Sequence, residues 1–276
     1  MPYKHLFSIF SLILLSANAF ATELCGSVKQ GEIVFGKTTP DSKIFFNHQE
    51  ISKTDDGIFI LAFGRDEKQQ QSLIIETGKN SENYDLTVSP AKWDIQNIKG
   101  VPPRKVTPSD ADLEAIELER KVIRAALKET TDSTGWRSGF ILPVEGRISG
   151  KFGGQRIMNK IPKSPHQGMD IAAKEGTEVK ASADGEVILA YPDLFYSGNV
   201  IIIDHGFGLQ TIYAHLSKMN VKRGDKVKKG DIIGLVGKTG RATGAHLHWG
   251  ASLRNVRFNP QSLIESNDIE NKCYAL

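Results

Sequence analysis

The chain has 276 residues, of which 24% are charged and 39% hydrophobic, and its formal net charge is +3. This length suggests about two domains, each large enough to bury a core. The frequent apolar residues exclude disorder for most of the chain, and the lack of long blocks of like charge argues against a nucleic-acid partner. No stretch reaches the roughly 18 apolar residues of a membrane-spanning helix, which excludes a polytopic membrane protein.

The first 21 residues are typical of a secretory signal peptide. A basic start is followed by an apolar run over 6–15 that is too short to span a bilayer. An A-x-A cleavage site lies at 19–21, and 17–19 is a second candidate. We therefore expect residues 1–21 to be removed and the mature protein to be periplasmic or secreted, with no stable membrane anchor.

Two cysteines, Cys25 and Cys273, lie near opposite ends of the mature chain. Export permits a disulfide, and we predict that they pair; two single cysteines are the alternative. The residues before Cys25 lack the small side chains of a lipoprotein cleavage site, so we do not expect lipid anchoring.

Five short runs of strand-forming residues, separated by turn residues, predict a small accessory β-sandwich over residues 22–99. The predicted strands are 32–35, 43–46, 58–63, 73–76 and 84–88. This region contains no cluster of reactive residues. His48 stands alone there, and we expect it at the surface.

Residues 100–133 are expected to form a linker that contains one helix. Thr107 could cap this helix, Pro108 suits its first position, and Asp110 favours its positive end. Apolar residues then recur on one helical face until about Glu129. They are Leu113, Ile116, Ile123 and Leu127, with Val122 and Ala126 beside this face. The pattern predicts a connector that packs on one domain.

A second all-β domain is predicted over residues 134–266, followed by a C-terminal tail over 267–276. Glycines alternate there with short segments rich in valine and isoleucine. The Gly-Asp hairpins over 221–237 also resemble those of lipoyl or biotinyl carriers. No lysine lies in a convincing attachment turn, and export argues against a carrier.

Most of the histidines lie in this second domain: His166, His205, His215, His246 and His248. His246 and His248 are two residues apart, so on a strand they would project from the same face. His166 and Asp170 are four apart and would also share a face of a strand. His215 follows two predicted strands, and it could reach the same cluster.

Two histidines, one carboxylate and an open position are the ligand set of a catalytic zinc. Further histidines beside the metal can take a proton from water or stabilise an oxyanion. Histidines with purely structural hydrogen bonds are the alternative. The motifs H-E-x-x-H and G-x-S-x-G are absent, which excludes a zincin helix and a serine hydrolase elbow.

Three ordered motifs resemble the signature of the lysostaphin-like, or LytM-type, zinc metallopeptidases. They are His166-x-Gly168-x-Asp170, Tyr213-Ala214-His215-Leu216 and Gly244-x-His246-Leu247-His248-Trp249-Gly250. The resemblance covers about 140–263. It implies an antiparallel β-sheet groove, a zinc cofactor and cleavage of the peptide cross-links of peptidoglycan.

The resemblance also implies roles for individual residues. His166, Asp170 and His248 would bind zinc. His215 and His246 would be catalytic, activating water and stabilising the tetrahedral intermediate.

By analogy with latent members of the family, Asn159 could occupy the open position of the metal. His205 lies in a turn after a strand, and we expect a structural role. Tyr213 and Trp249 are expected in the core.

Family members that only activate amidases have lost metal ligands, whereas this sequence keeps all three. An enzyme is therefore favoured over a non-catalytic cell-wall binding or amidase-activating module. We expect the N-terminal domain and helix to cover the groove until substrate or a regulatory protein partner displaces them. The bond that is cut stays open, with a D,D-cross-link favoured.

Overall fold

The computed structural model describes residues 22–267 and 273–276. The predicted signal peptide lies outside these described residues. Strands dominate the described chain and helices are few, which confirms the predicted all-β class. Within that part of the chain, every helix is too short or too polar to cross a membrane.

Residues 22–126 form eight strands and two helices. They are β1 (Glu23–Cys25), β2 (Ile33–Lys37), β3 (Lys43–Phe46), β4 (Gln49–Ile51), β5 (Ile58–Ala62), β6 (Gln70–Thr77), β7 (Asn80–Thr87), β8 (Ile95–Ile98), α1 (Pro103–Val106) and α2 (Asp110–Ala126). Strands β1, β2 and β5 lie in one sheet, and β4, β3, β6 and β7 form another. Buried residues of both sheets, such as Val34, Phe59 and Leu73, share one core, as the sandwich prediction requires. His48 is exposed, as expected.

The second half forms the remaining elements. A 3-10 helix (Gly135–Ser138) is followed by β9 (Arg147–Gly150), β10 (Gln155–Met158), β11 (Ile161–Pro162), β12 (Met169–Ala172), β13 (Glu178–Lys180), β14 (Gly185–Leu194), β15 (Gly198–Asp204), β16 (Leu209–Leu216), β17 (Lys218–Met219), β18 (Lys226–Val227), β19 (Ile232–Leu235), β20 (His246–Leu253), β21 (Val256–Phe258), α3 (Gln261–Glu265) and β22 (Cys273–Ala275). The main sheet has the order β18-β14-β15-β16-β20-β12-β9, and β21 pairs with β20.

The two faces of this main sheet have different partners. Tyr213 and Trp249 are fully buried in the main core, as expected. Side chains of the neighbouring positions, such as Ile212 and Ala214, point the other way because strand residues alternate between faces. They pack against Ala126 and Leu127 at the end of α2 and its cap. The helix is therefore a connector on the second domain, as predicted.

Helix α2 begins later than predicted. Its N-cap is Ser109, whose backbone N–H donates to the Asp112 carboxylate at 3.1 Å in a capping box. Residue Thr107 instead ends the short helix α1. Leu113, predicted on the packed face, is 53% exposed.

Two pairings connect the N-terminal and C-terminal parts of the chain. Strand β8 runs parallel to β10, and β22 pairs with β1. Cys25 lies opposite Cys273, and the two form a disulfide, as predicted. The tail predicted over 267–276 thus includes a strand of the first sheet. The domain boundaries and the covering of the groove stay predictions.

Candidate metal centre

Three side chains meet on the sheet face opposite the main core. Nε2 of His166 lies 3.0 Å from Nδ1 of His248 and 3.0 Å from Oδ1 of Asp170. The same Asp170 oxygen lies 2.9 Å from Nδ1 of His248. The structure therefore brings the three predicted ligands together, with one possible ligand atom of each within 3.0 Å of those of the other two.

The register of two strands explains why Asp170 and His248 meet. Strands β12 and β20 are antiparallel, and Asp170 lies directly opposite His248. Side chains of opposed residues point to the same face of a sheet. His246, two residues before His248 on β20, shares that face, as the sequence spacing predicted.

His166 reaches the site from a loop rather than from a strand, because β12 begins only at Met169. Its backbone N–H donates to the carbonyl of Gly154 at 2.9 Å, which fixes the loop. A Cβ at Gly168 would lie 2.7 Å from the His248 ring, so glycine allows this loop to approach the imidazole closely.

The donor set suits a divalent metal such as zinc. Zinc ligands lie about 2.0–2.1 Å from the ion, so tetrahedral ligand atoms are about 3.3 Å apart. The separations of 2.9–3.0 Å would need to open only slightly. Nδ1 of His166 faces the carbonyl of Lys151 at 3.0 Å, which directs the Nε2 lone pair to the centre. Arg156 donates to the other oxygen of Asp170 at 2.5 Å.

Burial sets the protonation state of this centre. It lowers the pKa of His166, and it lowers that of His248 to about 4. Burial alone would raise the pKa of Asp170, but hydrogen bonds and charge interactions with both histidines hold it well below its usual range. Neutral imidazoles beside a carboxylate are the protonation state that binds a metal.

His215 and His246 lie beside the three ligands, with their ring centroids 4.7 Å apart. Nδ1 of His215 faces the carbonyl of Thr239 at 2.8 Å, and Nδ1 of His246 faces that of Gly244 at 2.8 Å. A carbonyl oxygen only accepts, so both Nδ1 atoms carry the proton and both Nε2 atoms can act as bases. Burial and the neighbouring imidazoles hold the pKa of His215 well below its usual range.

A β-bulge in β16 brings His215 to this face. Its φ is 65°, and the pairing of β15 with β16 shifts register between Asn199 and Ile201. Tyr213 and Leu216 both face the main core although they are three residues apart. Without the bulge, strict alternation would direct His215 into the core with Tyr213.

The loop between β14 and β15 supports the bulge. The carbonyl of Ser197 accepts the backbone N–H of His215 at 2.8 Å, and that of Tyr196 accepts the backbone N–H of Arg241 at 2.8 Å. The buried carboxylate of Glu119, on α2, accepts the backbone N–H of Tyr196 at 2.6 Å. It also accepts the N–H and hydroxyl of Ser197 at 3.0 and 2.6 Å. Sequence reasoning missed Glu119, whose signal is an acidic residue on the apolar face of a helix.

Two further predictions concern residues near the site. The Asn159 amide donates to the carbonyl of Val101 at 2.7 Å and accepts its N–H at 3.3 Å. The expectation that Asn159 occupies the metal's open position is therefore wrong in this structure. His205 has the structural role expected, since its ring nitrogens contact Asp184 O and Thr211 Oγ1, each at 2.7 Å.

Comparison with known proteins identifies the second half of the chain. Residues 164–260 match the model of peptidase family M23, and this segment contains all five predicted site residues. Over 130 residues the chain is 44% identical to the peptidoglycan DD-endopeptidase ShyA of Vibrio cholerae, which covers 45% of this chain and 29% of that protein. Over 120 residues it is 45% identical to the DD-carboxypeptidase/endopeptidase Mpg of Neisseria meningitidis, and the match covers 44% of this chain and 27% of that protein. The chain thus spans less than a third of these relatives.

A solved structure extends the likeness to the whole fold. A Pseudomonas aeruginosa protein, described provisionally as a peptidase M23, has a TM-score of 0.69 at 28% identity and covers 87% of this chain and 96% of its own. Fold, site and sequence match define a metallopeptidase domain. The domain that contains residues 164–260 belongs to peptidase family M23, which confirms the predicted family and enzyme class at the level of the domain.

Proposed function

We propose that this protein is a zinc-dependent endopeptidase that hydrolyses the peptide cross-links of bacterial peptidoglycan, in the periplasm or after secretion. The observation that carries the proposal is the convergence of His166, Asp170 and His248 beside two further imidazoles, those of His215 and His246. The name of the Vibrio relative, a peptidoglycan DD-endopeptidase, supports peptidoglycan as the substrate. We assign the reaction to residues 134–266, with residues 22–99 as an accessory domain.

In this proposal, His166 Nε2, Asp170 Oδ1 and His248 Nδ1 would hold the zinc. Two neutral ligands and one carboxylate would leave a net charge of about +1 on the site. When bound, zinc would polarise the scissile carbonyl and make the attacking water more acidic. Arg156 holds the second Asp170 oxygen and so orients the carboxylate.

His215 and His246 transfer the proton and stabilise the developing negative charge. The Thr239 and Gly244 carbonyls accept from their Nδ1 atoms, which leaves Nε2 of each ring for the reaction. One imidazole takes the proton of the attacking water and returns it to the leaving amine. The other, after taking a proton from solvent, donates from Nε2 to the carbonyl oxygen as negative charge develops there.

The intact ligand set favours an enzyme over an amidase-activating module. The test is to incubate the zinc-loaded full chain with purified peptidoglycan and to identify the released fragments by mass spectrometry. One sample should contain direct D,D-cross-links and the other glycine bridges. We expect loss of directly cross-linked dimers and new monomers, and no change with His248→Ala. Intact cross-links in both samples, with zinc bound, would contradict the proposal.

A further inference from the structure

Arg257 is half-buried, and its guanidinium forms no ion pair or hydrogen bond with residues 22–267 or 273–276. Burial is the cause that lowers its pKa to about 10. Arg254, close by in sequence, differs because its guanidinium donates to the carbonyl of Ile60 at 2.7 Å. Removing a guanidinium from bulk water costs free energy when no anion pairs with it. A bound ligand can supply that anion.

The position of Arg257 places it on the face of the metal centre. On β21 it lies opposite Ser252 of β20, and opposed residues share a face. Ser252, Gly250 and His248 alternate along β20, so they also share that face.

The guanidinium lies directly over Gly250. A Cβ added to this glycine would lie 3.4 Å from Arg257 Nη1 and 3.5 Å from the carbonyl oxygen of Gln167, the residue after His166. Gly250 is two residues from His248, a distance of about 7 Å along a strand. Arg257 is therefore close enough to the metal ligands for one short stretch of bound peptide to reach both.

The chemistry of a guanidinium indicates what it would bind. Its planar fork of N–H donors matches a carboxylate, which it binds through two parallel hydrogen bonds. Arg156, beside the ligands, already has the Asp170 carboxylate as its partner. Arg257 has no such partner in the described chain and can accept one from a bound peptide.

We propose that Arg257 binds a carboxylate of the substrate, carried on the residue that follows the bond to be cut. An extended peptide advances about 3.5 Å per residue, and a hydrogen bond adds about 3 Å, which together suit the distance from His248. This inference rests on the proposed function and names the anionic group of its substrate. A carboxylate in this position is a feature both of a peptide that ends in D-Ala-D-Ala and of a direct D,D-cross-link.

The test uses Nα,Nε-diacetyl-L-Lys-D-Ala-D-Ala and the same peptide with a C-terminal carboxamide. Affinities for the full chain are measured by calorimetry after removal of zinc, because the metal itself would attract the carboxylate. We expect the wild-type protein to bind the carboxylate peptide about tenfold more tightly. Arg257→Gln should bind both peptides equally weakly. Arg257→Lys should keep part of the preference, and Arg124→Gln, at an exposed position of α2, should keep all of it.

The outcomes separate this inference from the proposed function. Equal wild-type affinities, or a preference that survives in Arg257→Gln, would overturn the role of Arg257. If Arg257→Gln does not fold, the affinities of the wild-type protein for the two peptides still test whether the carboxylate is bound. Turnover of both peptides by the zinc-loaded protein is measured in parallel. Cleavage without a carboxylate preference refutes only the role of Arg257, whereas carboxylate-selective binding with no cleavage of peptide or peptidoglycan refutes only the proposed peptidase.

Discussion

The carbonyl of Ser197 accepts the backbone N–H of His215 at 2.8 Å, at the residue where β16 bulges. The N–H and hydroxyl of Ser197 are in turn held by Glu119 of α2. A left-handed backbone is unfavourable for histidine, so surrounding contacts must hold it. The linker helix, which precedes the segment matched to the peptidase family, thus supports the backbone of a proposed catalytic residue.

We expect Glu119→Gln to lower kcat while zinc binding stays unchanged. In the variant, an amide NH₂ would replace a carboxylate oxygen that now accepts hydrogen bonds from N–H and hydroxyl groups. Two donors would then face each other, so the loop at Ser197 would shift. Loss of such buried hydrogen bonds costs about 1–3 kcal/mol of folding free energy. Steady-state kinetics and zinc content should be compared with those of Glu114→Gln, at an exposed position of the same helix. Equal kcat in both variants would show that Glu119 does not position His215.

Arg156→Gln should weaken zinc binding by about 10- to 100-fold, the usual effect of removing a partner of a metal ligand. The guanidinium donates to one oxygen of Asp170 and leaves the other for the metal. Competition with a chromophoric chelator measures the affinity. Arg120→Gln, exposed on α2, is the control. An unchanged zinc affinity would contradict this role.

Asp204 and His205 should affect the pH dependence of stability in opposite directions. Burial lowers the pKa of His205 from 6.5 to about 4, so the unfolded chain binds its proton first and stability falls as pH drops through that window. Burial raises the pKa of Asp204 from 3.8 to about 6, so the folded chain binds its proton first and stability rises as pH drops from about 6. The two effects oppose each other between about pH 6 and 4.

Asp204→Asn removes the opposing effect of Asp204, so the loss of stability that His205 causes at low pH should become visible. Its free energy of unfolding should fall, relative to wild type, by about 1.4 kcal/mol per pH unit between pH 6 and 4. Urea unfolding of metal-depleted protein at pH 6, 5 and 4 measures the difference. If the free energies of unfolding of wild type and variant changed in parallel with pH, the effects of Asp204 and His205 would not oppose each other.

The site was predictable where it depends on strand alternation. The spacing of His246 and His248 placed both on one face because β20 is a regular strand. His215 was different, since no local pattern announces a bulge or a positive φ at a histidine. Its orientation follows from long-range contacts with the β14–β15 loop.

The fold was predictable where local pattern decides. Turn residues between apolar runs predicted the strands of the sandwich. Pairings between distant segments, such as β8 with β10 and β22 with β1, depend on tertiary packing that no short pattern encodes. The sequence predicts a helix start at Thr107 because Pro108 suits a first turn, but the capping box of Ser109 and Asp112 determines where α2 begins.

The most direct test of the proposed zinc peptidase compares His248→Ala with His215→Ala in the full chain. Zinc content by mass spectrometry and peptidoglycan turnover are measured on the same samples. We expect His248→Ala to lose both zinc and activity, because it removes a ligand. His215→Ala should keep about one zinc per chain and lose turnover by at least about 100-fold. Equal loss of zinc in both variants, or activity retained without His248, would contradict the account.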